Sequence, residues 1–180
     1  MEHKGTITLE TDRLILRRFR VEDSEVVFRN WTNDPEVAKF VRWNAHESVQ
    51  DTIDWLTIEE NSYDQKNYYT WAIVLKETNE PIGSMSALFR EEEDERYEIG
   101  YGIGRKYWNQ GITTEALKCV MKFLTEDVGI KKFICRHAKL NPASGAVMQK
   151  VGFKYTKDGL YQSYDGSKSY ESKIYYLDIN

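Results

Sequence analysis

The chain has 180 residues, which suits one domain over residues 1–180, since two domains would each be unusually small. Its formal net charge of −4 excludes the basic stripe of a nucleic-acid-binding protein and is compatible with plain solubility or with a cationic substrate. No run of about 18 apolar residues offers a membrane span, and the first residues lack a signal-peptide pattern, so we expect no membrane partner.

Two cysteines, Cys119 and Cys135, stand without the spacing of a disulfide scaffold or a zinc motif. The sequence therefore predicts no metal site. It also favours a reducing, cytoplasmic environment.

Hydrophobic periodicity and turn residues predict an alternation of strands and helices. Apolar positions alternate at 13–19, whereas Val49, Ile53 and Leu56 recur at helical spacing. Proline suits the first turn of helices that begin after Asp34 and Asn141. The predicted strands cover 13–19, 68–75, 82–89, 96–103, 132–137, 153–163 and 168–177, and the helices begin near Glu22 and Asp34 and cover 47–61, 111–128 and 142–152. This order predicts an α/β fold with a mixed sheet.

The strand at 96–103 presents different chemistry on its two faces. Ile99, Tyr101 and Ile103 share one face, and Glu98 lies on the other with Gly100 and Gly102. Glu98 is either a solvated residue of the sheet or a general base that acts directly or through water.

The turn into the helix at 111–128 has the features of an anion site. Gly111 lets the backbone approach a ligand closely, and the first N–H groups of a helix lack intrahelical partners. The helix dipole adds partial positive charge, so phosphates bind such ends readily. A glycine before a helix is also the ordinary residue of a tight turn.

Other candidates have two interpretations each. Arg105 and Lys106 either bind phosphates or face solvent. His137 either serves the site or is a satisfied histidine of the sheet. A further group of aromatic and histidine residues lines an acceptor pocket or belongs to the core: Trp31, Trp43, His46 and Tyr69.

Three segments in this order and spacing resemble the GCN5-related N-acetyltransferase (GNAT) superfamily: 98–103, 108–116 and 137–153. With Thr11–Arg17 and Asn33–Val37 they resemble more narrowly the branch of the ribosomal-protein N-terminal acetyltransferases RimJ and RimL. The resemblance implies a mostly antiparallel sheet of about seven strands, with a V-shaped gap between two splayed strands that binds acetyl-coenzyme A.

The resemblance also implies roles for individual residues. The pyrophosphate would rest on the backbone of Gln110, Gly111, Ile112, Thr113 and Thr114, and the pantetheine arm would pair with Tyr101, Gly102 and Ile103. Asn141 would contact the coenzyme near its thiol, unless it is only a helix cap, and Ser144 would approach the sulfur as the general acid.

Some positions depart from the family pattern. Trp108 and Thr113 stand where the superfamily loop usually has other residues, and Asn109 replaces a glycine that is common in the branch. Met148 occupies the position of a tyrosine acid found in many relatives. The acid role therefore passes to Ser144 or to water.

The expected reaction is direct transfer of an acetyl group to a primary amine. The amine, with a reference pKa of about 10, must first lose a proton, and strand N–H groups would stabilise the oxyanion. The alternative is a non-catalytic acyl-coenzyme-A sensor on the same fold. A nucleotide-phosphate binder is disfavoured because the chain lacks a phosphate loop of the GxxxxGK type. The acceptor, a protein N-terminus or a small molecule, stays open, as does homodimer formation.

Overall fold

Eight strands form one mixed sheet in a computed structural model that covers residues 1–180. The strands are β1 (Leu9–Glu10), β2 (Leu14–Arg17), β3 (Tyr69–Leu75), β4 (Glu80–Arg90), β5 (Arg96–Ile103), β6 (Lys132–Ala138), β7 (Lys154–Gln162) and β8 (Ser169–Asp178). Their spatial order is β1-β2-β3-β4-β5-β6-β8-β7. Every neighbouring pair is antiparallel except β5 and β6, which run parallel.

Five α-helices accompany the sheet: α1 (Ser24–Val27), α2 (Pro35–Ala38), α3 (Val49–Ser62), α4 (Ile112–Lys122) and α5 (Pro142–Lys150). Wider, π-type turns extend α1 over Phe28–Thr32 and α4 over Phe123–Val128. None of the helices combines the length and the apolar character that crossing a membrane requires.

The central strand β3 is buried along its whole length because helices cover both of its faces. Trp71 and Ile73 belong to the main core with residues of α4, such as Leu117. Ala72 and Val74 point the other way, into a smaller core formed with α1 and α3. The sheet thus separates an α4 face from an α3 face, and side chains alternate between them.

The parallel strands β5 and β6 pair over only part of their length. The register ends at Ile99 opposite Cys135, although β5 continues to Ile103 and β6 to Ala138. Beyond that point β5 pairs with β4 alone and β6 with β8 alone. A gap therefore opens between the two strands, as the resemblance implies.

The predicted fold class is confirmed, and the count of about seven strands is corrected to eight. The additional strand, β1, has only two residues, Leu9 and Glu10, and pairs with the sheet edge at Leu16 and Ile15. A segment this short carries no periodicity, which is why the pattern did not indicate it.

Candidate functional site

A cavity of about 380 Å³ lies on the α3 face and extends from the gap between β5 and β6 toward α3. Its wall combines three groups of residues. Strand residues around the gap include Ile99, Gly100 and Tyr101; α5 and the turn before it add Asn141 and Ser144; the far end is largely aromatic. One continuous space therefore connects the strand gap to an aromatic chamber.

The strand gap presents backbone groups to this cavity. In β5, Gly100 and Gly102 pair with Ser86 and Ser84 of β4, so one edge of β5 has no strand partner past Ile99. Unpaired strand edges are templates for an extended partner. The position of Tyr101, Gly102 and Ile103 therefore fits the predicted contact with a pantetheine arm.

The start of α4 has the geometry expected of an anion site. Gly111 adopts φ 73°, which favours glycine, and a Cβ there would meet nothing nearer than the Arg13 guanidinium at 3.7 Å. The first intrahelical bond runs from Glu115 N–H to the Gly111 carbonyl, so the N–H groups of Ile112, Thr113 and Thr114 precede it without intrahelical partners.

Arg13 holds the loop before α4 in this conformation. Its guanidinium donates to the Gln110 carbonyl at 2.9 Å and to the Glu115 carboxylate at 3.2 Å. The sequence offered no signal for this support because Arg13 immediately precedes β2, about a hundred residues earlier in the chain. Gln110 and Gly111 are exposed, so this turn at the start of the helix is open to solvent, as an anion site at a helix N-terminus requires.

Arg105, predicted as a phosphate ligand of the coenzyme or a solvent-facing residue, pairs with a carboxylate of the protein. Its guanidinium forms two hydrogen bonds with Asp34, at 2.9 Å and 2.7 Å. Asp34 also caps α2 by accepting from the Glu36 N–H. Arg105 thus ties the loop after β5 to the start of α2, and a phosphate would have to compete with a bidentate carboxylate.

Glu98 lies where β5 faces the cavity, but three arginines surround it. Its Oε1 accepts from Arg42 at 3.1 Å and from Arg136 at 2.8 Å, and its Oε2 accepts from Arg90 at 2.6 Å. Burial alone would raise the pKa of Glu98, yet the charges of Arg136 and Arg42 and the bond from Arg90 hold it below its ordinary value. This environment disfavours protonation and argues against the general-base role.

Ser144 and Tyr101 form a hydrogen-bonded pair at the cavity wall. The Ser144 hydroxyl donates to the Tyr101 oxygen at 3.0 Å, and the Tyr101 hydroxyl donates to the Ser144 carbonyl at 2.9 Å. Burial raises the pKa of Tyr101 well above its ordinary value, so the phenol keeps its proton. The sequence placed Tyr101 only as a backbone contact and missed this pairing, because the two residues are 43 positions apart.

Asn141 is the residue before α5, yet its side chain makes no capping hydrogen bond. It lines the cavity instead. Its amide is therefore available to a ligand, and the interpretation of Asn141 as a helix cap only is not supported.

The aromatic end of the cavity contains three of the four predicted acceptor residues. Trp31, Trp43 and His46 all line it. His46 bonds to the Thr52 hydroxyl through Nδ1 at 2.7 Å, and burial lowers its pKa, although Asp51 opposes this change. The imidazole is therefore neutral near pH 7.

Tyr69 does not belong to this group. It is fully buried on the α4 face, stacks on Trp71 and bonds to His3 at 2.9 Å. Its odd-numbered position in β3 points it away from the α3 face, so the prediction that it lines the acceptor pocket is wrong. It belongs to the main core.

His137 lines the cavity, but both of its ring nitrogens already have partners within the protein. Nδ1 contacts the Ala138 carbonyl at 2.7 Å, and Nε2 contacts the Tyr175 hydroxyl at 3.3 Å. The ring is 5% exposed and lies directly beneath Gly145, where a Cβ would come within 2.6 Å of Nε2. These contacts support the interpretation of His137 as a structural residue of the sheet.

Sequence reasoning missed several residues of the cavity wall. Arg42, Arg90 and Arg136 surround Glu98, and Trp55 and Glu59 come from α3. Sequence spacing gave no signal for the arginines, which come from separate elements. Trp55 and Glu59 stand four positions apart in one helix, and this spacing indicates that their side chains share a face.

Comparison with known proteins finds a matching family model and several relatives. The family model described as an acetyltransferase (GNAT) domain matches residues 13–154. Two relatives are similar over nearly their whole lengths. The uncharacterized N-acetyltransferase p20 of Bacillus licheniformis is 27% identical over 96% of this chain and 95% of its own, and YoaA of Bacillus subtilis is 29% identical over 93% and 94%.

A solved structure of RimL, a ribosomal L7/L12 alpha-N-protein acetyltransferase in complex with coenzyme A, has a similar fold. The two superpose with a TM-score of 0.80 at 18% identity, over 96% of this chain and 98% of that one. The likeness shows that the two proteins share a fold.

Proposed function

The chain belongs to the GNAT family of acetyltransferases, and on that premise we propose that it is an N-acetyltransferase that uses acetyl-coenzyme A to acetylate a primary amine. The observation that carries the proposal is the cavity: it joins the gap between β5 and β6 to an aromatic chamber. A thioester at the gap and an amine in the chamber would meet inside one enclosed space.

Donor binding would use backbone groups at two places. The N–H groups at the start of α4, behind Gly111, would hold the pyrophosphate, and the free edge of β5 at Tyr101–Ile103 would pair with the pantetheine arm. The Asn141 side chain would contact the arm near its sulfur.

The leaving thiolate would receive a proton from the pair formed by Ser144 and Tyr101. In the structure the Ser144 proton points to Tyr101, so a rotation of the serine hydroxyl is required before it can face the sulfur. Ser144 would regain a proton through water, which takes up the proton that the acceptor loses. Tyr101, whose phenol stays protonated, would hold the serine in place through its bond to the Ser144 carbonyl. The reference thiol pKa of about 8.5 makes this assistance modest.

The acceptor proton would leave to water, and Glu98 would serve as a positioning residue. Three guanidinium groups, from Arg42, Arg90 and Arg136, meet Glu98 and Glu93 there, and the charge of Glu92 also acts on Arg90. These guanidinium groups line the cavity, and one that faces the acceptor would lower the pKa of its ammonium group and favour the reactive free amine.

An acceptor screen tests the proposal. Purified protein is incubated with acetyl-coenzyme A and a panel of amines, thiol release is followed, and products are identified by mass spectrometry. Acetylated product on any amine supports the enzyme. Binding of acetyl-coenzyme A without turnover on the whole panel would support the acyl-coenzyme-A sensor instead.

The phosphate site has a matched pair of variants. Gly111→Asn and Gly111→Asp have nearly the same shape, and both residues tolerate the left-handed backbone better than other side chains do. Both should lose some stability, and the carboxylate introduced by Gly111→Asp can pair with Arg13 and keep the loop folded. Only Gly111→Asp should repel the donor strongly. Equal affinities of the two variants for acetyl-coenzyme A by calorimetry would contradict the site.

A further inference from the structure

Glu59 is a buried carboxylate without a cationic partner. Its side chain belongs to α3, is 7% exposed and lines the cavity. It accepts hydrogen bonds from Trp55 Nε1 at 3.0 Å and from the Tyr68 hydroxyl at 2.7 Å, both neutral donors. Buried carboxylates in proteins are normally paired with a cation or a metal. Each of the other deeply buried acidic side chains, Asp23 and Glu98, has an arginine partner.

The surroundings of Glu59 suit a cation. The indole of Trp55 and the ring of Tyr68 hold the carboxylate, and Trp31 and Trp43 line the same end of the cavity. Aromatic faces attract an ammonium group, and the attraction grows when water is excluded. His46, next to Trp55, is neutral near pH 7 and does not supply the missing charge.

Glu59 also lies at a defined distance from the strand gap. Thr70, Ser86 and Gly100 face one another across three adjacent strands, and all three line the cavity. Thr70 stands beside Glu59, and Gly100 stands at the gap. Two strand spacings place the Thr70 and Gly100 backbones roughly 10 Å apart, so Glu59 and the gap lie at opposite ends of a row of three strands.

From this arrangement we propose that Glu59 binds a second cationic group of the acceptor, so that the substrates are small aliphatic amines with two or more amino groups. This inference rests on the proposed acetyltransferase function. One ammonium group would sit between Glu59 and the tryptophans. The other amino group would reach the gap, where the arginines around Glu98 favour its neutral, reactive form. The small volume of the cavity, about 380 Å³, fits a short aliphatic chain.

The test compares diaminohexane with hexylamine, which has the same chain length but one amino group. Wild-type protein should bind the diamine about 10- to 100-fold more tightly by calorimetry, because a charged hydrogen bond is gained. It should also acetylate the diamine with a higher kcat/KM. In Glu59→Gln the advantage of the diamine should disappear from both measurements.

The Glu59→Gln variant is expected to fold. The glutamine oxygen can accept from Trp55, and its amide nitrogen can donate to the Tyr68 hydroxyl, which also accepts. Glu126→Gln is the control, because Glu126 is exposed on the far side of the molecule and the change in net charge is identical. It should behave as the wild type does.

The outcomes separate the two proposals. Equal binding and turnover of diamine and monoamine by the wild type, or a diamine advantage that survives in Glu59→Gln, would overturn the role of Glu59 and leave the acetyltransferase intact. Diamine binding that depends on Glu59, together with no acetylation of any amine, would keep the cation site and refute the enzyme.

Discussion

Replacing Glu98 by glutamine tests whether this residue is a base or a positioning residue. The change removes the charge that faces Arg42, Arg90 and Arg136, while the size and shape of the side chain stay almost constant. In the wild type, each of the two carboxylate oxygens accepts from at least one arginine. Glutamine places an NH₂ group at one of these two positions. At least one donor would then face another donor.

The expected cost follows from the burial of the cluster. The side chains of Glu98 and Arg136 are 9% and 11% exposed. Removing one partner of a buried ion pair typically costs about 3–5 kcal/mol. For a chain of this size each kcal/mol lowers the Tm by about 2–4 °C, so the Tm of Glu98→Gln should fall by roughly 6–20 °C. Turnover should fall with it, because Arg42 and Arg136 lose their positions in the cavity wall.

The assay combines a thermal unfolding scan with steady-state kinetics from pH 6 to 9, with Glu126→Gln as the charge-matched control. A positioning role predicts a large drop in Tm and a deficit in kcat/KM that does not change with pH. If the Tm stays within about 2 °C of wild type while kcat falls by about 10²- to 10⁴-fold, the loss typical of a general base, the reasoning is refuted.

Three further predictions concern single contacts. Arg105→Gln should leave the affinity for acetyl-coenzyme A unchanged by calorimetry and should cost at most about 1 kcal/mol in urea unfolding, because Arg105 pairs with Asp34 at the surface; a clear loss of affinity would restore Arg105 to the phosphate site. Tyr101→Phe and Ser144→Ala should each lower kcat, and the double variant should be no slower than the slower single variant, because the two hydroxyls act in one chain; additive losses would show independent roles. The pKa of Glu98 is lowered on folding, so its contribution to stability is present above the unfolded pKa of about 4.3 and is lost as the pH falls further through the folded pKa; a pH series of unfolding free energies should show less of this acid loss in Glu98→Gln than in wild type.

The sequence predicted the sheet and the turn before α4 well because both depend on local patterns. The strand at 96–103 agrees with β5 at both ends, and Gly111 stands immediately before α4 with the backbone that a tight turn requires. Alternation and turn chemistry are properties of adjacent residues, so they are visible without the fold.

The far end of the cavity could not be predicted in the same way because it depends on contacts between distant segments. From the sequence Glu98 resembled a free carboxylate on a strand face with two glycines, but its partner Arg42 lies 56 positions away. Tyr69 looked like a pocket aromatic, although its neighbour Thr70 is the residue that faces the cavity. The assignment of Tyr69 required the strand's orientation relative to the two helix layers, and composition does not contain it.

Glu59 and Glu98 show how one residue type acquires two roles in a single cavity. Both carboxylates are buried to a similar degree, but arginines surround Glu98 and neutral donors surround Glu59. Burial therefore raises the pKa of Glu59, while charge lowers that of Glu98. The opposed shifts reflect the different partners of the two carboxylates. The charge of Glu98 is balanced by arginines of the protein, whereas Glu59 has only neutral hydrogen-bond donors. An amine acceptor would supply the positive charge that Glu59 lacks.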